Sequence, residues 1–91
     1  MFTIVTPERF LRQARGFFKQ HPELTSRFAK LVTDLQKDPF APHLRMHPLK
    51  GQLEGCHAVR LTYSYRVTLT IAIIDKEIVL LDIGSHDEVY R

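Results

Sequence analysis

The 91-residue sequence predicts an α+β fold in which a helical hairpin packs on one face of a small, mainly antiparallel sheet, in the order β-α-α-β-β-β. Three observations predict it. Two consecutive segments repeat apolar residues at helical spacing, three later segments have the length and alternation of strands, and a short β-branched run precedes them all. The pattern fills residues 1–91 as one domain, with no repeat, low-complexity tract or linker dividing it.

Phe2-Thr3-Ile4-Val5 reads as the first strand, closed by Thr6-Pro7. Thr6 is then the expected N-cap of a helix, and Pro7 its first residue, where a missing N–H costs nothing. Phe10, Leu11, Ala14, Phe17 and Phe18 form one apolar stripe, while Arg9, Arg12, Arg15 and Lys19 take the opposite side. His21-Pro22 ends this helix, because the residue before a proline is pushed out of the helical region. Pro22 begins the next one, whose stripe is Leu24, Phe28, Leu31, Val32 and Leu35, and Lys37-Asp38-Pro39 stops it. Residues 39–55 hold three prolines and two glycines with no period, an irregular connection long enough to serve function. Strands are expected over about residues 57–63, 65–74 and 77–83, with Asp75-Lys76 as the last turn.

Composition removes several classes of function. Hydrophobic residues at 44% and charged residues at 25% exclude a disordered chain. A single cysteine, Cys56, excludes an intrachain disulfide and a cysteine-based zinc site. No apolar run approaches the roughly 18 residues of a spanning helix, so no membrane partner is expected and a cytoplasmic location is. Thirteen Lys and Arg against ten Asp and Glu is a small excess, but its distribution is uneven. From His43 to Arg66 the chain carries Arg45, Lys50, Arg60, Arg66 and three histidines against one acid, Glu54. Such a stretch points toward a phosphate-facing surface.

Strand parity sharpens that hint. Val59 and Leu61 point one way, so Ala58, Arg60 and Thr62 point the other. In the next strand Val67, Leu69, Ile71 and Ile73 share a face, leaving Arg66, Thr68, Thr70 and Ala72 on the reverse. With both apolar sets against the helices, Arg60 and Arg66 project from adjacent strands onto the same uncovered side. Arginine forks onto phosphate oxygens, so such a pair fits an anion cradle as well as a solvated surface. Gly84 lets the chain turn over the sheet edge, which would return His86 and Tyr90 to that face. Proton-transfer groups, cations and an aromatic platform are the parts of an RNA-cleaving site.

These residues resemble a known family. His47-Pro48-Leu49-Lys50-Gly51-Gln52-Leu53-Glu54-Gly55 and Gly84-Ser85-His86-Asp87-Glu88-Val89-Tyr90 resemble the YafQ branch of the RelE/ParE superfamily of bacterial toxins. Tyr65-Arg66 entering a long strand and the terminal Glu88-Val89-Tyr90 resemble RelE itself. The resemblance runs over essentially the whole chain. It implies a microbial-RNase-like core and ribosome-dependent cleavage of mRNA in the A site, by attack of a ribose 2′-OH on the adjacent phosphate, with no metal or other cofactor. It implies His47 and His86 as proton-transfer residues, Arg66 as a phosphate-stabilising cation, Arg60 as a second cation or proton relay, and Tyr90 as the C-terminal aromatic that stacks on the nucleotide or assists the chemistry. It also implies a cognate antitoxin as partner, beside mRNA and ribosomal RNA, with Arg45, Lys50, His57 and Tyr65 as RNA contacts. The chain departs from the pattern at Ser64-Tyr65, where the YafQ branch has an acid and a tryptophan, at Ala58, where RelE has a lysine, and at His86, where RelE has an arginine. Which histidine is base and which acid stays open.

Two other readings share the fold: a ParE-like inhibitor that binds DNA gyrase without catalysis, and a degenerate toxin that only binds antitoxin. His43 and His47 have the spacing of a helical metal pair, but Pro42 and Pro48 oppose a helix there and no third ligand stands out.

Overall fold

The computed structural model of the chain describes residues 1–89. Its elements are β1 (Thr3–Val5), α1 (Glu8–Gln20), α2 (Thr25–Lys37), β2 (His47–Pro48), β3 (His57–Arg60), β4 (Tyr65–Ala72), β5 (Glu77–Ser85) and α3 (His86–Val89), with 3-10 turns at Pro22–Leu24, Pro42–Leu44 and Gly51–Leu53. The strands form one sheet in the order β1-β5-β4-β3-β2. β1 runs parallel to β5, and the other neighbours are antiparallel. This is the expected helical hairpin on a mainly antiparallel sheet. Among the described residues no helix is long and apolar enough to cross a membrane.

The two helical stripes do what their spacing predicts. Phe10 and Ala14 of α1 and Leu31 and Leu35 of α2 are buried, in one cluster with Val59, Val67, Leu69, Ile78 and Leu80 from the sheet. Phe10 stacks on Phe28 at 6.1 Å between ring centroids, tying the two helices together. Each helix begins slightly later than its sequence signals. Pro7 has ψ 156, outside the helical region, so its carbonyl accepts from Leu11 N at 3.0 Å while the helix itself starts at Glu8. Pro22 opens a 3-10 turn, and α2 follows from Thr25.

The sheet corrects the expectation in three places. The 39–55 connection is not wholly irregular, because His47 and Pro48 pair with Ala58 and His57 as an edge strand. Pro48 can sit there because an edge residue needs no N–H toward solvent. The strand expected over 57–63 stops at Arg60, and residues 61–65 form a tight loop closed by Leu61 N and Thr62 N donating to Tyr65 O at 3.0 and 3.1 Å. The next strand ends at Ala72, so Ile73 and Ile74 leave the sheet and stand 54% and 96% exposed in the final turn. Lys76 there has φ 52, and its N–H donates to Ile73 O at 3.3 Å.

The reverse face is also less open than expected. Gly84 does not end its strand; β5 continues to Ser85 and gives way to α3, which packs on β4 and β5. Val89 of α3 is buried, as are Ala58 and Thr68, which the register places on the side away from the helices. Ser85 and Glu88 start α3 as a capping box: Ser85 N donates to Glu88 Oε1 at 2.9 Å, and Glu88 N donates to Ser85 Oγ at 3.3 Å.

Candidate active site

Directly opposed residues of an antiparallel pair share a face. Arg60 lies opposite Arg66 in the β3–β4 register, and His47 lies opposite Ala58, two residues before Arg60. The backbone therefore gathers His47, Arg60 and Arg66 on the side of the sheet away from the helical core. Gly84 is the β5 partner of Arg66, and its missing side chain makes room for Glu88 of α3, whose Oε1 lies 3.2 Å from where a Cβ would stand.

The two arginines tolerate each other because each has a different neutral partner. Arg66 Nη1 donates to three carbonyls of the β3–β4 loop, Thr62 O at 2.7 Å and Tyr63 O and Tyr65 O at 3.1 Å each. The Arg60 guanidinium lies 5.6 Å from the centroid of the Tyr63 ring. Neither arginine forms an ion pair among the described residues. Arg66 thus has a structural duty as well as a charge, whereas Arg60 is held mainly by an exposed ring.

The histidines flank this pair. His47 Nδ1 lies 2.8 Å from Arg45 O. A carbonyl only accepts, so Nδ1 carries the proton and the neutral ring keeps its lone pair on Nε2. His86 opens α3, two residues beyond Gly84, with Nδ1 at 3.7 Å from Asp87 Oδ1 and the side chain 68% exposed. His47 lies in the edge strand β2 and His86 just past the end of β5, three strands away. In register His47 is level with Asp82, four residues before His86, so their backbones are offset by about 14 Å across the strands and about 13 Å along them, with the arginines between.

The remaining sequence-derived residues spread over three places. Arg45 and Lys50 are exposed in the loop around β2, Arg45 in the left-handed region at φ 53. His57 and Tyr65 alternate onto the helix side, away from Arg60 and Arg66. His57 is opposite Leu69, and its Nδ1 is buried without a hydrogen-bond partner. Tyr65 packs edge-on to Phe17 at 5.1 Å and against His21 at 4.8 Å, so it joins the core's aromatic rim rather than the arginine face. Tyr90 lies outside the described residues. His43 and His47, which have metal-pair spacing, take separate partners, His43 Nε2 lying 2.9 Å from Asp34 Oδ2 and His47 Nδ1 2.8 Å from Arg45 O, and no group of three metal-ligating side chains occurs among the described residues.

Asp34 has its carboxyl held below the ordinary value of 3.8, first by the hydrogen bond from His43 and also by Lys30, against the opposing effect of burial. This pair anchors the loop before β2 to α2. Sequence reasoning missed Tyr63, which is 82% exposed beside Arg60. Its position in a polar Thr-Tyr-Ser loop, where a ring has no core to enter, was the available signal.

No family model matches the chain, and no curated protein matches it in sequence. Solved structures match it over nearly its whole length. YafQ from E. coli superposes with a TM-score of 0.81 at 16% identity, covering 100% of both chains. The E. coli DinJ–YafQ complex gives 0.79 at 16% identity, again covering 100% of both. A metal-bound toxin from Helicobacter pylori gives 0.79 at 29% identity, covering 98% of this chain and 99% of that one. The fold of this chain is that of the RelE/YafQ-like toxins.

Proposed function

We propose that this chain is the toxin of a type II toxin–antitoxin system and that it cleaves mRNA in the ribosomal A site without a metal, until a cognate antitoxin neutralises it. The observation that carries the reading is the opposed Arg60–Arg66 pair with His47 on the same face. The fold shared with YafQ, which is solved both alone and with DinJ, supports it.

The chemistry needs two proton transfers and one charge stabiliser. A base removes the ribose 2′-OH proton, the 2′-oxygen attacks the adjacent phosphorus, and the P–O5′ bond breaks as an acid protonates O5′. The products are a 2′,3′-cyclic phosphate and a 5′-OH end. His47 Nε2 suits the base role in the tautomer that Arg45 O selects, and His86 at the far side of the arginines suits the acid. Arg60 and Arg66 face the extra negative charge that develops on the phosphoryl oxygens. Tyr63 and Tyr90 offer rings for the flanking bases.

The test is to add the purified chain to a translation extract with a reporter mRNA and to map both new ends. Cleavage that leaves 5′-OH and cyclic-phosphate ends, and that stops when the scissile ribose is 2′-O-methylated, is expected. Intact mRNA together with inhibited DNA supercoiling would replace this reading with the gyrase-binding one. Intact mRNA and unimpaired growth on induction would leave only antitoxin binding.

A further inference from the structure

A groove of about 920 Å³ runs between α2, the turn before β2 and the end of β3. It opens there because β2 pairs only with His57 and Ala58, leaving the edge of β3 bare at Arg60. Arg27 and Lys30 reach it from successive turns of α2, Arg45 from the loop, and Arg60 from the sheet. The groove also holds two acids, and both are already engaged. Asp34 binds Lys30 at 3.2 Å and His43 at 2.9 Å, and Glu23 lies 3.7 Å from His21.

Arg27, Arg45 and Arg60 have no carboxylate partner among the described residues. Arg27 Nε donates to Leu61 O at 3.2 Å, which fixes the stem and leaves the terminal nitrogens toward the groove. Three guanidiniums around one depression repel each other unless an anion lies among them. The leucines beneath are 2–4% exposed, so the apolar surface of the groove comes mainly from the stems of its long side chains. Four cationic side chains against two acids that are already engaged make a polyanion the occupant that the charge of these walls favours.

We propose that this groove carries the phosphodiester backbone of single-stranded RNA on one side of the scissile linkage, with Arg60 shared between groove and sheet face. Tyr63, exposed beside Arg60, stacks a base where the two meet. The proposal rests on the RNA-cleaving reading for the identity of the strand, and it assigns Arg27 and Lys30 a role that the sheet face does not require.

The experiment measures binding of the full chain to a 2′-O-methylated oligoribonucleotide, which cannot be cleaved, over a range of salt. Each phosphate contact contributes about 0.7 to the slope of log K against log salt for a single strand. Arg45→Gln and Lys30→Gln are each expected to flatten the slope by about 0.7, while Lys37→Gln, the same charge change beyond the groove, leaves it as it was. Thermal melts confirm that each variant folds, and Arg45 is the cleanest probe because its side chain holds no other element. Slopes for the groove variants equal to that of Lys37→Gln would overturn the proposal. So would groove variants that keep the RNA slope but lose a glutamate- and leucine-rich peptide, which would make the groove a protein surface. A flattened slope in a chain that cleaves no RNA leaves the groove assignment standing and removes the nuclease reading; cleavage with unchanged slopes does the reverse.

Discussion

Gln13 of α1 grips the backbone of Ile83 with both ends of its amide, Nε2 donating to Ile83 O at 3.0 Å and Oε1 accepting from Ile83 N at 3.1 Å. β1 pairs with β5 only over residues 77–79, so beyond them the outer edge of β5 lacks a strand. The side chain replaces one residue of that missing strand. Arg9 adds an ion pair to Asp82 at 3.6 Å on the same edge, although at 77% exposure its own contribution is small.

Gln13→Leu should therefore leave two half-buried backbone groups without partners. A loss of about 1–3 kcal/mol is expected, read as a lower urea midpoint at unchanged slope. Gln13→Glu keeps the acceptor but not the donor and should fall between. The edge it supports leads directly to His86, so cleavage should decline along with stability.

Arg60 and Arg66 should separate by the kind of damage their loss does. Arg66→Ala removes three hydrogen bonds that brace the 62–65 loop, leaving Thr62 O and Tyr65 O only their backbone donors, so it should lower both the melting temperature and the cleavage rate. Arg60→Ala removes a cation held by one exposed ring, so stability should change by less than about 0.5 kcal/mol. If Arg60 stabilises the transition state, its loss should still slow cleavage by about 10²–10³-fold. Unchanged cleavage in Arg60→Ala with an unchanged melt would remove it from the site.

The facing of these two arginines was legible because β3 and β4 alternate apolar and polar residues, and parity needs no knowledge of register. Their direct opposition was not, since register depends on the 61–65 loop, whose closure is read from hydrogen bonds rather than composition. Ile73 shows the limit of parity: it continues the β4 alternation but lies past the point where the chain turns. His47 belongs to a strand of two residues, too short to have a period. Along β5 the register slips opposite Thr68 and Leu69, so Ile78, Leu80 and Ile83 all reach the core although their spacing is not uniform. Tyr65 and His57 have residue types suited to RNA, but their position in the alternation, one residue out of step with Arg66 and Arg60, assigns them to the helix side.

Asp34 gives a pH prediction with a definite sign. Its folded carboxyl titrates below the ordinary 3.8, chiefly through the His43 hydrogen bond. The unfolded chain thus binds more protons near that pH, so the contribution is complete above the ordinary value and disappears as pH falls through it toward the folded one. Between about pH 5 and pH 3 the urea midpoint of the parent should fall more steeply than that of Asp34→Asn. The same slope in both would show that the His43–Asp34 contact does not form in solution.

The capping box at Ser85 and Glu88 connects local helix formation to the proton-transfer site. α3 has only four residues, too few to persist without a cap, and His86 is the first of them. Ser85→Ala removes the acceptor for Glu88 N and should cost about 1 kcal/mol. The measurable signature is local: faster amide exchange in α3 with protection in β4 retained. Cleavage should drop because His86 is no longer held at the end of β5. Ser85→Asp, which restores an acceptor at the N-cap, should recover both the exchange protection and the rate. Recovery of protection without recovery of rate would place His86 outside the chemistry and leave the arginine face to act with His47 alone.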